Sequence, residues 1–258
     1  MPRLTATLTS AAIIAFSIAA GTPQTAGAVT KEEVRIILKE NPQLIFEALE
    51  GYEEQLYDLL QLGLEKKKKT RIRQGRLEQL KNPKVPALHP DRPVWGQPTG
   101  KIQIVVFSDF QSASCAKAYK TIRQLLKKHP GIGYRYRHNP LGLHKMSLPA
   151  ARYYEAMALQ DHAKAKKLNG LILQNRIAIK KSGPAKLDEL AEICGADMAL
   201  LKKTLNSPQI DARINADIKE ARKFGFTASP VFLVNGVTIT GAAPQDEFEE
   251  VLQMIQKN

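Results

Sequence analysis

The sequence predicts an α/β domain in its C-terminal part, with a helical segment before it. Two apolar, β-branched stretches, Ile102 to Phe107 and Val231 to Val234, are typical of strands buried on both faces of a sheet. The first leads into a helical apolar pattern, and the second leads into the hairpin signal Asn235-Gly236. Several capped helical patterns lie between them. The predicted order is therefore strand, helix, strand, then helices, then two strands and a last helix.

Residues 1–28 have the composition of a secretory signal peptide. Arg3 supplies the basic region, Leu4 to Ala20 form a small-to-apolar stretch, and residues 26–28 give an Ala-x-Ala cleavage site. No other run approaches the ~20 apolar residues that a membrane span requires. We therefore expect an exported, soluble mature chain, which is periplasmic if the source is a Gram-negative bacterium. An uncleaved N-terminal anchor is the alternative.

Residues 29–80 are predicted to form a helical stalk. Thr30 and Glu33 match a capping box at its start. Apolar residues then follow a 4-3-4-3 spacing that is typical of a coiled-coil seam; they are Ile45, Leu49, Tyr52, Leu56 and Leu59. One helix from Gln43 to about Arg73 would be about 45 Å long, too long to pack wholly on a small domain. We expect a homo-oligomer through residues 31–65; a helix folded back onto its own domain is the alternative.

Nine basic residues concentrate at the end of this stalk, in a chain whose net charge is +13. They are Lys66, Lys67, Lys68, Lys69, Arg71, Arg73, Arg76, Lys81 and Lys84. No aromatic residues interleave with them, so no nucleic-acid partner is predicted. The pattern indicates a solvated helical face; peripheral contact of residues 66–84 with an anionic membrane surface, or with an acidic partner, is the sharper alternative. Five prolines then predict an extended, semi-rigid linker at residues 81–98.

The predicted globular domain covers residues 99–258. With 43% hydrophobic and 24% charged residues, the chain can build a sizeable core. Ser112 is placed to cap the helix after the first strand, and a strand from Tyr134 to His138 completes a parallel βαβ unit. Residues from about 145 to 224 are predicted to be an inserted group of helices. Their starts are marked by Ser147 with Pro149, by Asp197, and by Ser207 with Pro208.

The segment from Phe107 to Cys115 resembles the active-site stretch of DsbA-type disulfide oxidoreductases. In that family a similar strand and an Asp-aromatic pair lead into Cys-x-x-Cys, whereas the first cysteine position here is Ser112. Ser229-Pro230, directly before a strand, resembles the cis-proline loop that lines the family's substrate groove. Asn41-Pro42 and the helical residues after it resemble the oligomerisation extension of ScsC-like relatives, which implies that the homo-oligomer is a trimer or a dimer. The resemblance implies a thioredoxin fold with an inserted helical domain.

Serine at the first position of this motif changes the expected chemistry. Its hydroxyl offers no accessible anion and forms no stable bond to sulfur, so ordinary dithiol exchange is excluded. Cys115, normally the less exposed resolving thiol, can still form a mixed disulfide that an external thiol must resolve. The expected partners are exported protein substrates or thiol compounds, and no cofactor is predicted. The resemblance implies catalytic roles for Cys115 and Ser112, with motif residues Ala113 and Ser114 and substrate-binding residues Ser229 and Pro230.

Three functions remain open at this point. The first is thiol-disulfide exchange of the oxidoreductase or isomerase class, with reduced or monothiol activity. The second is a non-catalytic, oligomeric periplasmic chaperone or adaptor that binds peptides near Pro230. The third is a glutathione-binding enzyme that resembles the kappa-class transferases, which place a serine at the position of Ser112.

Two further constellations of residues carry less weight. Cys115 and Cys194 allow one disulfide bond, but Cys194 is more simply explained as a small buried residue at a helix end. His138, His144 and Met146 lie close together in sequence, but their spacing fits no helix or strand face. No metal site is therefore predicted.

Overall fold

The computed structural model describes residues 29–257. The predicted signal peptide, residues 1–28, lies outside the described residues, as does Asn258. The chain divides into two compact units, one up to Leu64 and the other from Glu65 onward. Among residues 29–257, no helix combines the length and the apolar character that crossing a membrane requires.

The described chain begins with three helices: α1 (Lys31–Glu40), α2 (Gln43–Leu49) and α3 (Glu53–Lys81). The predicted capping box is confirmed, because the Thr30 hydroxyl accepts from the Glu33 N–H at 3.3 Å and the Glu33 carboxylate accepts from the Thr30 N–H at 2.8 Å. The prediction of one helix from Gln43 to Arg73 is wrong. Gly51 adopts a φ of +82°, a left-handed conformation that glycine adopts more readily than other residues, and this turn separates α2 from α3.

The apolar side chains of the first unit are largely open to solvent. Neither α1 nor α2 contains a buried residue. The seam residues Ile45, Leu56 and Leu59 are 44%, 38% and 66% exposed. The predicted seam is therefore an apolar surface that this unit does not cover by itself.

A mixed five-stranded sheet lies at the centre of the second unit. Its strands are β1 (Val94–Gly96), β2 (Ile102–Ser108), β3 (Ile132–His138), β4 (Val231–Val234) and β5 (Val237–Thr240), in the order β1-β3-β2-β4-β5. β2 and β3 are parallel, as predicted, and the other pairs are antiparallel. β2 is almost wholly apolar because it is the central strand, where Ile104 and Phe107 are fully buried. β1 was not predicted and lies within residues 81–98.

Eight further helices of the described chain pack against this sheet or against one another. They are α4 (Ala113–Lys128), α5 (Ser147–Gln160), α6 (His162–Gln174), α7 (Arg176–Ser182), α8 (Pro184–Ile193), α9 (Met198–Thr204), α10 (Pro208–Lys223) and α11 (Gln245–Gln256). Helices α5 to α10 form the insertion between β3 and β4. This order confirms the predicted thioredoxin fold with inserted helices.

Side-chain caps explain where several of these helices begin. Ser112, Asp197 and Ser207 each accept a hydrogen bond from a backbone N–H three residues later, as predicted. The prediction that Ser147 caps α5 is wrong. Ser147 is the first residue of the helix, and its hydroxyl donates to the Asp109 carboxylate instead.

The proline-rich segment between α3 and β1 is held by polar contacts. The Ala87 N–H donates to the Glu220 carboxylate at 2.7 Å, and Arg137 donates to the Ala87 carbonyl at 2.9 Å. Arg92 is 3% exposed, and its Nη1 lies 2.7 Å from both carboxylate oxygens of Asp217. These contacts hold the segment in place, and its prolines add stiffness.

One member of the basic run has a structural partner. Arg76 is 4% exposed and forms ion pairs with Glu247 and, at 3.5 Å, with Glu250. Its charge is therefore neutralised within the second unit. It does not belong to the solvated face that the sequence pattern indicated.

Candidate active site

The motif turn, which we define as residues 109–115, connects the end of β2 to the first turn of α4. Ser112 has an extended backbone conformation and is the N-cap of α4. Its hydroxyl accepts a hydrogen bond from the Cys115 N–H at 3.4 Å. Ala113 and Ser114 are exposed, whereas Cys115 is buried. The motif residues that sequence reasoning selected therefore lie together at a helix N-terminus.

The Cys115 thiol is held in an environment that favours its protonated form. Its residue is 2% exposed, and the Asp109 N–H donates to Sγ at 3.3 Å. Burial raises the pKa of the Cys115 thiol above its ordinary value, and contacts with the Ser108 and Ser112 hydroxyls and the Asp109 N–H offset only part of this effect. Cys115 is therefore a less reactive nucleophile near neutral pH than an exposed cysteine.

Asp109 fixes the shape of the motif turn. It is 4% exposed, and its Oδ1 accepts hydrogen bonds from the Gln111 N–H at 2.8 Å and the Ser147 hydroxyl at 2.6 Å. The next residue, Phe110, stacks on Tyr136 of β3 with 4.8 Å between ring centroids. Asp109 thereby ties the turn to α5, and Phe110 ties it to the sheet. Sequence reasoning missed the role of Ser147 because its partner lies 38 residues away.

The loop before β4 lies at the same edge of the sheet as the motif turn. The Ser229-Pro230 peptide bond is cis, as the resemblance implied. Phe107 of β2 pairs with Val231 of the antiparallel strand β4, so Pro230, the residue before Val231, lies beside the end of β2. The Ser229 hydroxyl donates to the Asn139 carbonyl at 2.8 Å, and the Asn139 N–H donates to the Ser108 carbonyl at 2.8 Å. These bonds join the ends of β2 and β3 to the cis-proline loop.

The second cysteine does not take part in this arrangement. Cys194 is the C-cap of α8, and it is buried. Both Cys115 and Cys194 are free thiols, so the bond that the cysteine count allowed is not formed. Burial also raises the pKa of the Cys194 thiol.

A buried ion network, defined here as Arg92, Arg137, His138, Glu155, Arg213 and Asp217, lies between β3, α5 and α10. His138 Nε2 lies 2.9 Å from Glu155 Oε1, and the His138 N–H donates to Asp217 at 3.0 Å. Burial raises the pKa of Glu155, but the hydrogen bond from His138 and the charges of His138, Arg92 and Arg213 outweigh this and lower it to about 2. Sequence reasoning missed this network, although Arg137 within the buried strand β3 was a signal that a buried acidic partner exists.

Three members of the network have metal-binding groups close together. The ligand atoms of His138, Glu155 and Asp217 lie within 4.8 Å of one another. However, the Arg92 guanidinium contacts both carboxylates, at 2.7 Å from Asp217 and 3.8 Å from Glu155. Since a cation already neutralises these acids, their arrangement is that of a structural ion network. His144, the second histidine considered from the sequence, is exposed and outside this cluster.

Comparison with known families and structures agrees with this architecture. A thioredoxin family profile matches residues 89–254, which is well over half of the chain. The match begins before β1 and ends within α11, so it includes the whole sheet and the motif turn.

Two solved structures are similar in fold at low sequence identity. The thiol-disulfide exchange protein α-DsbA2 of Wolbachia pipientis is 20% identical, with a TM-score of 0.59 over 70% of this chain and 94% of that chain. ScsC of Proteus mirabilis, in a transitional conformation, is 16% identical, with a TM-score of 0.57 over 88% of this chain and 97% of that chain. These similarities concern the fold.

Part of a longer protein is also similar in sequence. The Na(+)/H(+) antiporter NhaA 3 of Salinispora tropica is 28% identical over 149 residues, or 57% of this chain. The match spans only 22% of the antiporter's length. The family match over residues 89–254, the strand order and the inserted helices together show that this chain belongs to the thioredoxin family and has the fold of its DsbA-type and ScsC-type members.

Proposed function

We propose that this protein takes part in thiol-disulfide exchange through the single thiol of Cys115. The observation that carries the proposal is the position of this thiol, one turn inside the helix that follows the central strand of a thioredoxin fold. The similar protein of Wolbachia pipientis is itself a thiol-disulfide exchange protein. Ser112 replaces the sulfur that a dithiol mechanism requires, and Cys194 forms no bond with Cys115.

In the exchange step one disulfide bond forms and one disulfide bond breaks. The Cys115 thiolate attacks one sulfur of a partner disulfide, so a mixed disulfide forms and the other partner sulfur leaves as a thiolate. No neighbouring thiol can resolve this mixed disulfide, because Ser112 stands three residues before Cys115. A low-molecular-weight thiol completes the cycle by attacking the mixed disulfide and releasing Cys115. The cycle is slow at neutral pH because the Cys115 thiol is buried and its pKa is raised.

The pH dependence of mixed-disulfide formation tests this proposal. Since burial raises the pKa of the Cys115 thiol, its thiolate fraction at pH 7 lies below that of an ordinary cysteine. We expect the rate of reaction with glutathione disulfide to rise roughly tenfold per pH unit, up to a pH above the ordinary cysteine pKa of about 8.5. Mass spectrometry of the Cys194→Ala variant over this pH range isolates the contribution of Cys115.

The matched control is Cys115→Ala, which retains only Cys194. This variant should lose exchange activity while it keeps its fold, because the change removes one small buried group at a cost of about 1–2 kcal/mol in unfolding free energy. Activity that persists in Cys115→Ala and disappears in Cys194→Ala would overturn the assignment of the reactive thiol.

We further propose that residues 1–28 direct export to the periplasm and that the mature chain is a homo-oligomer. The oligomer proposal is supported by the apolar seam of the first unit, of which Ile45, Tyr52, Leu56 and Leu59 are exposed in the single chain and Leu49 is half-buried. Residues 31–65 would form the contact, as a helical stalk that spans residues 29–80 and precedes the ordered segment 81–98.

Charged substitutions in the seam test the oligomer. Leu49→Lys with Leu56→Lys would place like charges within the apolar contact, and we expect the protein to become monomeric at micromolar concentration. Light scattering gives the mass directly. Gln55→Lys with Gln61→Lys adds the same charge outside the seam and should leave the oligomer intact. A monomeric mass for the unmodified mature chain would refute the proposal.

A further inference from the structure

An open pocket of about 600 Å³ lies beside the motif turn, between α4 and the start of α7. We call it the basic groove and define it by its four cationic residues, Lys117, Lys120, Arg123 and Arg176. Ala113, the first residue of α4 after Ser112, also lines it. A ligand in the basic groove therefore lies next to the motif turn.

The four cations of the basic groove lack acidic neighbours. No carboxylate is among the groove-lining residues, and none of the four cations forms an ion pair in the described part of the chain. Neither α4 nor α7 contains Asp or Glu. The nearest acids in sequence have other partners, because Asp109 of the motif turn is buried and hydrogen-bonded to Ser147, and Asp188 forms an ion pair with Lys202. The groove therefore carries a positive potential that its own surroundings do not neutralise.

Apolar groups accompany these charges. Ile177 is 69% exposed at the groove, while Tyr119 and Leu173 contribute to its floor and are 9% and 2% exposed. Arg123 lies over the Tyr119 ring, 6.0 Å from its centroid. A partner that fits this surface needs anionic groups together with apolar groups.

We propose that the basic groove binds an acidic polypeptide segment that carries apolar side chains beside its carboxylates. Carboxylates complement the four cations, and an apolar side chain covers Ile177. A single-stranded nucleic acid fits less well, because the one aromatic ring of the groove is buried under Arg123 and offers no face for stacking. A flat membrane surface fits less well, because the site is concave and its apolar floor is recessed.

Binding to the basic groove goes beyond the proposed exchange activity and does not require the thiol. The test uses the full mature chain with Cys115→Ala, so that peptide binding is measured without covalent capture. The probe is a fluorescein-labelled peptide of repeated Glu-Glu-Leu triads, and fluorescence anisotropy reports its dissociation constant. A peptide with Gln in place of Glu reports binding that does not depend on charge.

Two charge-reversal variants separate the basic groove from the overall positive charge. The groove variant combines Lys117→Glu, Lys120→Glu and Arg176→Glu, and it leaves Arg123 over Tyr119. The control variant combines Lys203→Glu, Lys219→Glu and Lys223→Glu, which are exposed lysines outside the groove. Circular dichroism checks that both variants keep their fold. If either variant unfolds, Gln replaces Glu at the same three positions, so that the positive charges are removed without being reversed.

We expect the acidic peptide to bind the parent protein and the control variant with dissociation constants within about twofold of each other. The groove variant should bind at least about tenfold more weakly, and added salt should weaken binding to the parent. Ile177→Ser should weaken binding of the Glu-Glu-Leu peptide without affecting the fold. Equal losses in the groove and control variants would overturn the proposal. So would an absence of binding, or groove-dependent binding to anionic phosphatidylserine vesicles or single-stranded DNA that exceeds peptide binding.

Discussion

Ser112→Cys is expected to raise the rate of protein disulfide reduction by at least about 100-fold. The new sulfur would occupy the N-cap of α4, where the helix dipole and free N–H groups lower a thiol pKa to about 3.5–7.5. Cys115 stands three residues later, so it could resolve a mixed disulfide within the same molecule. Insulin reduction with a dithiol reductant measures the turnover of the variant and of the unmodified chain.

Ser114→Cys is the matched control for this gain. Ser114 is exposed in the same turn, but a cysteine there would be adjacent to Cys115 and outside the Cys-x-x-Cys register. This variant should gain only the modest activity of an exposed single thiol. An equal gain in both variants, or no gain in a well-folded Ser112→Cys variant, would contradict the motif register.

Arg92→Ala is expected to lower the free energy of unfolding of the second unit by about 3–5 kcal/mol. The Arg92 side chain is 3% exposed, and it pairs with Asp217, which is 1% exposed. Its loss leaves Asp217 with less compensation for its buried charge, and it also removes a contact to Glu155. Urea denaturation gives the change in unfolding free energy, provided that the transition is two-state.

An exposed ion pair provides the control for this destabilisation. Lys81 pairs with Glu78 at 2.8 Å, and both side chains are more than two-thirds exposed. Lys81→Ala should therefore change the unfolding free energy by less than about 1 kcal/mol. The double variant Arg92→Ala with Asp217→Ala should lose less stability than the sum of the two single variants, because no unpaired charge at Asp217 remains. Strict additivity would show that the pair is not coupled.

Local sequence patterns were sufficient for the elements that form the centre of the fold. The apolar run of β2, the Ser112 cap of α4 and the Asn235-Gly236 turn each depend on a few neighbouring residues. Asn235 and Gly236 both adopt positive φ, at 45° and 88°, as a type I′ turn requires. These signals were enough to predict the order of the elements along the chain from β2 onward and the position of the motif turn, although β1 was missed.

The features that the sequence did not reveal depend on distant partners or on local breaks in a regular pattern. Arg92 belongs to a proline-rich segment, and its partner Asp217 is 125 residues further along the chain. Ser147 looked like a cap because no local signal points to Asp109. The 4-3-4-3 spacing continues through Gly51, although its positive φ ends α2 there. Periodicity reports which residues share a face, but it does not show where a helix ends.

The most direct test of single-thiol exchange is mass spectrometry of the unmodified mature protein after reaction with glutathione disulfide. We expect one glutathione adduct, located at Cys115 by peptide mapping, which is released by added thiol and is absent from Cys115→Ala. An intramolecular bond between Cys115 and Cys194, or an intact fold in which Cys115 stays unmodified even at pH above its raised pKa, would contradict single-thiol exchange at Cys115.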